Sequence, residues 1–223
     1  MDAMRDLASR LAKLDSCVAS DALDKLGLTG VAAGLGRLST DKKLAGRVLT
    51  VKLESADGRV AERHLCTAAI EAASPGDILV IEHHSRADCA GWGGILSKAA
   101  LVRGIPGVIV DGLCRDIDES RDLGFTVFAR GVIPATARGR IIETDFNCPI
   151  TVGPVTVSPG DWVVADGSGV VFLNRKNVEA ILAQAEQLVV REAALVKDIE
   201  AGMPVSKVMS RTYEHMTQKE KEK

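Results

Sequence analysis

The sequence predicts an α/β fold of layered sheets with helices outside. Two observations carry this. Through the middle of the chain, apolar strand-like runs alternate with helical patterns, as in "ILVIEH", "ILSKAALVRG", "GVIV". After "RGRII" the pattern changes to short strands, "CPITVG", "VTVSPGDWVVAD" and "GVVFL", divided by the turn signals "VGP", "SPGD" and "DGSG". Alternation followed by antiparallel hairpins implies more than one sheet, not a plain doubly wound one.

The elements follow in order. Met4, Leu7, Leu11 and Leu14 recur at helical spacing over residues 3–14. "SDALDKLG" reads as a second helix, capped by Ser20 or Asp21 and ended by Gly27. "GLTGVAAGLGRL" is irregular, and "AGRVLTVKLE" alternates like a strand. "AERHLCTAAIEAA" reads as a helix, closed by "SPGD"; "ILVIEH" is then a buried strand. Gly91, Gly93 and Gly94 form a loop before the helix "ILSKAALVRG", which Gly104 ends. "GVIV" is a strand with Asp111 at its end and Gly112 allowing a sharp exit. "CRDIDESRDLG" is a short helix and "FTVFARG" another strand. A long charged helix spans about 175–201, and "VSKVMSRTYEHM" adds a last turn. No repeat or linker divides the chain. It reads as a single domain over 1–223, with a core at about 16–175 and a helical extension at about 175–216.

Composition narrows the function. The 223 residues, 46% hydrophobic, are enough for a substantial core. A net charge of −2 and only 3% aromatics argue against a nucleic-acid surface. Cys17, Cys66, Cys89, Cys114 and Cys148 show no Cys-x-x-Cys spacing, which fits reduced thiols in a cytoplasmic protein. The first 15 residues lack the apolar stretch of a signal peptide. No run reaches the ~18–20 apolar residues of a membrane span, so no membrane partner is expected.

The chemistry concentrates in "GWGGILSKAALVRGIPGVIVDGLCRD", residues 91–116. A helix N-terminus exposes unpaired N–H groups and can hold an anion, and glycines before it allow close approach. A tight strand-to-helix turn would use the same glycines. There is no Lys-Ser/Thr ending, so this is not a phosphate loop. At the far end, Arg115 is shaped to grip a carboxylate with two hydrogen bonds, and Asp116 is a hard oxygen donor suited to magnesium or manganese. Asp116 at a helix start would equally serve as a cap.

This stretch, with "SDALDKLG" before it and "GDWVVADGSGVVF" after it, resembles the family of the regulator of ribonuclease activity A, RraA. That family includes the class II pyruvate aldolases acting on 4-hydroxy-4-methyl-2-oxoglutarate and 4-carboxy-4-hydroxy-2-oxoadipate. The resemblance covers roughly residues 16–175. The aldolase pattern is an Asp, twenty residues, then Arg-Asp. Arg115 and Asp116 match its end, but Gly94 stands where the first Asp belongs. Contacts through the amides of Gly93, Gly94, Ile95 and Leu96 need no side chain and survive. Glu82, His84 and Asp88 are candidate replacement acceptors for the metal's shell, Glu82 and His84 sharing a strand face if the strand extends that far.

The resemblance implies an α/β/β/α sandwich similar to the swivelling β/β/α domains, with N- and C-terminal helices. It also implies a homotrimer, sometimes doubled to a homohexamer, with sites near subunit interfaces that Ser20 and Asp21 of a neighbour approach. The activity implied is a lyase dependent on Mg or Mn. The loop amides and Arg115 orient a 2-oxo acid, Asp116 anchors the cation, and a pyruvate enolate forms during retro-aldol cleavage or oxaloacetate decarboxylation. The alternatives are a non-catalytic protein that binds and inhibits a ribonuclease, and a different 2-oxo acid lyase or tautomerase.

Overall fold

A computed structural model describes residues 2–209. Two helices open the chain, α1 (Asp2–Leu11) and α2 (Ser16–Leu26), then two short strands, β1 (Val31–Ala32) and β2 (Gly36–Arg37). The long strand β3 (Leu44–Ser55) leads into three helix–strand units. These are α3 (Thr67–Ala72) with β4 (Ile78–Glu82), α4 (Gly94–Val102) with β5 (Gly107–Cys114), and α5 (Ile117–Asp122) with β6 (Thr126–Val132). Strand β7 (Ile141–Phe146) follows, then two hairpins, β8 (Ile150–Val152) with β9 (Val155–Val157) and β10 (Trp162–Ala165) with β11 (Val170–Leu173). Helices α6 (Val178–Glu200) and α7 (Val205–Val208) end the described chain.

Strands β3, β4, β5 and β6 pair in parallel, in that order. Strand β10 pairs antiparallel with the first four residues of β3, β11 with β10, and β1 with β11. Strand β7 pairs with the other end of β3, and β2 with β6.

Side-chain alternation builds the layers. Leu79 and Ile81 of β4 pack with α3, α4 and α5, around Ala69, Leu96 and Ala100. Ile78 and Val80 face the other way, onto Val163, Phe172 and the β8–β9 hairpin. Trp162, Val164, Val171 and Leu173 turn to α1, α2 and α6, against Leu11, Leu23 and Ile181. Three apolar clusters therefore separate helix, sheet, sheet and helix, the α/β/β/α order expected. Each fully buried Leu, Ile or Val contributes roughly 1.5–3 kcal/mol.

Several local readings change. Helix α2 begins four residues before Ser20, because Asp15 caps it: its Oδ1 accepts from the Val18 N–H at 2.8 Å. Gly27 does end it, at φ 64°. Helix α3 is only Thr67–Ala72, because Cys66 sits at φ 66° and breaks the turn that "AERHL" would have continued. Strand β5 does not stop at Asp111 but runs to Cys114, with a register shift between Val110 and Leu113. Strand β4 ends at Glu82, so His84, at φ 55°, does not share its face. Strand β7 was not anticipated; its "IIETDF" lacks clean alternation. The C-terminal extension beyond 209, with all of "SRTYEHM" and the charged end, lies outside the described residues. No helix among the described residues is long and apolar enough to cross a membrane.

Candidate active site

The glycine loop and the Arg-Asp pair meet because two segments run side by side. Gly91 N–H donates to Leu113 O at 2.8 Å, and Arg115 N–H to Trp92 O at 3.0 Å. These bonds bring the start of α4 against the exit of β5. Gly91 and Gly112 make a close fit there: a Cβ on Gly112 would lie 2.0 Å from His83 Nδ1, and one on Gly91 2.6 Å from His83 Cδ2. Gly112 thus serves approach, not a sharp exit.

A second network fixes α4 to α5. Trp92 is buried, its ring stacked on Phe125 at 5.8 Å. Its Nε1 donates to Ser97 Oγ at 2.8 Å, and Ser97 Oγ meets Ser120 Oγ at 2.9 Å. Both serines are fully buried. The polar atoms satisfy one another, so the joint is rigid.

Above it opens a cavity of about 370 Å³, lined by Ala90–Leu96, Arg115, Asp116, His64, Leu65 and Thr136–Arg138. Arg115, Asp116 and Gly93, Gly94, Ile95 and Leu96 therefore share one space. Asp116 has a left-handed backbone, φ 55° and ψ 41°, and makes no side-chain bond to its own helix. Its Oδ2 accepts instead from the Gly94 N–H at 3.1 Å, while Arg115 Nε lies 3.3 Å from the carboxylate. The cap explanation for Asp116 thus fails for α5; the carboxylate sits at the mouth of α4. The N–H groups of Ile95 and Leu96 have no acceptor among the described residues, as expected of a helix start. A strained non-glycine backbone at such a place is typical of functional residues.

The space left by the glycine at 94 is filled. A Cβ there would lie 2.0 Å from Glu119 Oε2 and 2.3 Å from its Cδ. Glu119, one turn after Asp116 on α5, places its carboxylate where a side chain at 94 would begin. Two hard oxygen donors therefore flank Gly94: Asp116, which lines this cavity, and Glu119, which lines the adjoining one. That set fits Mg²⁺ or Mn²⁺, which bind through one or two carboxylates and leave other positions to water and substrate. Sequence reading overlooked Glu119, although its place in the first turn of the helix that follows Asp116 was the available signal. Arg138 and His64, contributed by distant loops, left no such signal.

The three proposed substitutes lie outside this cavity. Glu82 is buried, and its Oε1 accepts from the Thr151 N–H at 3.0 Å. His84 is exposed. Asp88 is held by Arg86 through bonds of 2.8 and 2.9 Å, which keep its carboxyl at about 2. Cys89 Sγ lies 3.9 Å from His83 Nε2, but both are buried. Burial raises the thiol and lowers the imidazole to about 4, so the pair stays neutral.

Known proteins bear on this geometry. A protein of Halalkalibacterium halodurans named "Putative 4-hydroxy-4-methyl-2-oxoglutarate aldolase" is 33% identical over 184 residues, covering 82% of this chain and 83% of that protein. Protein DlpA of Legionella pneumophila is 26% identical over 201 residues; the match covers 90% of this chain but only 33% of DlpA. The crystal structure of Streptomyces coelicolor RraAS2, described as an unusual member of the RNase ES inhibitor RraA protein family, superposes with TM-score 0.77 at 26% identity. It covers 84% of this chain and 94% of that one. The RraA-like family model, described as Aldolase/RraA, matches residues 16–172. With the glycine loop and Arg115-Asp116 both inside that span, the chain belongs to the RraA-like family.

Proposed function

We propose that this protein is a divalent-metal-dependent carbon–carbon lyase acting on a 2-oxo acid through the enolate of pyruvate. The observation that carries the reading is the convergence of Asp116 and Glu119 on Gly94, beside free helix N–H groups and Arg115. The N–H groups of Ile95 and Leu96 receive the substrate carboxylate. Asp116 and Glu119 are the residues that would hold Mg²⁺ or Mn²⁺. Bound there, the cation supplies Lewis-acid stabilisation of charge on the 2-oxo oxygen. Arg115 adds a fixed positive charge to the same developing oxyanion.

In retro-aldol cleavage the C4 hydroxyl loses its proton to water, its oxygen forms the C4 carbonyl as the C3–C4 bond breaks, and the C4 fragment departs as a second carbonyl compound. The electron pair of the broken bond becomes the enolate, which takes a proton at C3 to give pyruvate. Oxaloacetate decarboxylation passes through the same enolate, with carbon dioxide departing. The name of the H. halodurans relative supports the aldolase reading. The family resemblance supports a single domain of this kind in a homotrimer or homohexamer, working in the cytoplasm.

The test is pyruvate release from 4-hydroxy-4-methyl-2-oxoglutarate and oxaloacetate, with Mg²⁺ or Mn²⁺ and with EDTA. Release that depends on metal is expected. Arg115→Ala and Asp116→Ala should each lose at least about a hundredfold in rate, the scale of one electrostatic stabiliser; near-normal turnover in either rejects its role. A second reading, a ribonuclease-binding regulator, is favoured by the S. coelicolor neighbour. It predicts no pyruvate under any metal.

A further inference from the structure

The cavity has a second wall that the chemistry above does not use. Thr136–Arg138 line it from the loop between β6 and β7. Arg138 is exposed, and its guanidinium has no hydrogen-bond or ion-pair partner among the described residues. Arg115, by contrast, is already matched to Asp116.

The loop carrying Arg138 is braced at both ends. Ala90 N–H donates to Ala135 O at 3.0 Å, and Ala56 N–H to Arg140 O at 2.8 Å. Arg140 Nη1 donates to Thr136 O at 2.9 Å. Arg86, itself locked to Asp88, reaches Arg140 O at 3.2 Å. An unpaired cation on a loop with a braced backbone, lining a cavity, is free to pair with an anion there. The cavity, at about 370 Å³, is in the range that holds a whole small-molecule ligand, with room beyond a three-carbon acid.

We infer that Arg138 is a specificity residue that grips a second carboxylate, at the end of the substrate far from the 2-oxo group. This rests on the lyase reading of the same site. It makes Arg138 a discriminator between acids that differ only at the departing end. Arginine suits the task because its planar fork meets both carboxylate oxygens.

Two probes separate the possibilities. 4-Hydroxy-4-methyl-2-oxoglutarate carries the distal carboxylate; 4-hydroxy-4-methyl-2-oxopentanoate carries a methyl in its place. Pyruvate release from each gives kcat/KM for the wild type, Arg138→Ala and Arg138→Lys, with circular dichroism confirming the fold of each. The wild type should prefer the dicarboxylate. Arg138→Ala should cut that preference at least about tenfold, mainly through KM, the effect of losing a charge-assisted hydrogen bond. Arg138→Lys should fall between. Exchange of pyruvate methyl protons with deuterated water, with Mg²⁺ and with EDTA, tests the enolate chemistry separately in the wild type. A wild type that exchanges, yet shows the same selectivity as Arg138→Ala or cleaves neither acid, overturns the role of Arg138. A wild type that neither exchanges nor cleaves overturns the lyase reading, and this inference with it.

Discussion

Gly94 and Glu119 occupy one volume. Position 94 has helical backbone and no positive φ, so what an Asp there meets first is the Glu119 carboxylate, which would have to swing aside. Exchange of the two is the expected behaviour. Glu119→Ala should lower metal-dependent pyruvate release at least about tenfold, as removal of a metal-holding group does. Gly94→Asp alone should disturb the site, whereas Gly94→Asp combined with Glu119→Ala should recover activity. If the double variant is no better than Glu119→Ala, the two carboxylates are not equivalent. Arg115, Asp116 and the glycines were legible in the sequence because their identities and spacing are local. Glu119 was legible only in part: its helix face could be read, but its meeting with Gly94 depends on the α4–α5 joint. Arg138 depends on a loop more than twenty residues away and was not legible.

Elements place these residues through packing that periodicity reports unevenly. The buried strands β4 and β5 were plain as apolar runs, and the β10–β11 hairpin as a turn signal, with Asp166 N–H donating to Gly169 O at 3.0 Å. Strand β7 was hidden, because its Glu143 is buried by an ion pair with Arg63 at 2.8 Å rather than by apolar packing. The end of β4 also carries a proton-linked weakness. His83 is 1% exposed, wedged between Gly91 and Gly112, with no partner for Nδ1 among the described residues. Burial, then nearby Arg86, lowers it to about 4, against about 6.5 in the unfolded chain. Between those values the unfolded chain binds the extra proton. This contribution is therefore complete above about pH 6.5 and is lost as pH falls toward 4, by up to roughly 3 kcal/mol. Urea midpoints at pH 7 and pH 5 should show a smaller acid-induced drop in His83→Asn than in the wild type; an equal drop assigns the effect elsewhere.

For the molecule as a whole, a ligand that binds only the folded chain stabilises it. At a hundred times its Kd, Mg²⁺ should add about 2.7 kcal/mol, a rise of several degrees in Tm for a chain of this size. The rise should vanish in Asp116→Ala. A shift of equal size in that variant would place the metal elsewhere. The whole architecture also depends on β3, whose 12 residues meet β10 at one end, β4 in the middle and β7 at the other. Among the described residues no other strand serves both sheet layers. Rearranging the order of the chain would therefore meet very unequal resistance. New termini opened in the turn Asp166–Gly169 would interrupt one hairpin, whereas a break within Leu44–Ser55 would divide the common seam and leave neither layer with an intact edge.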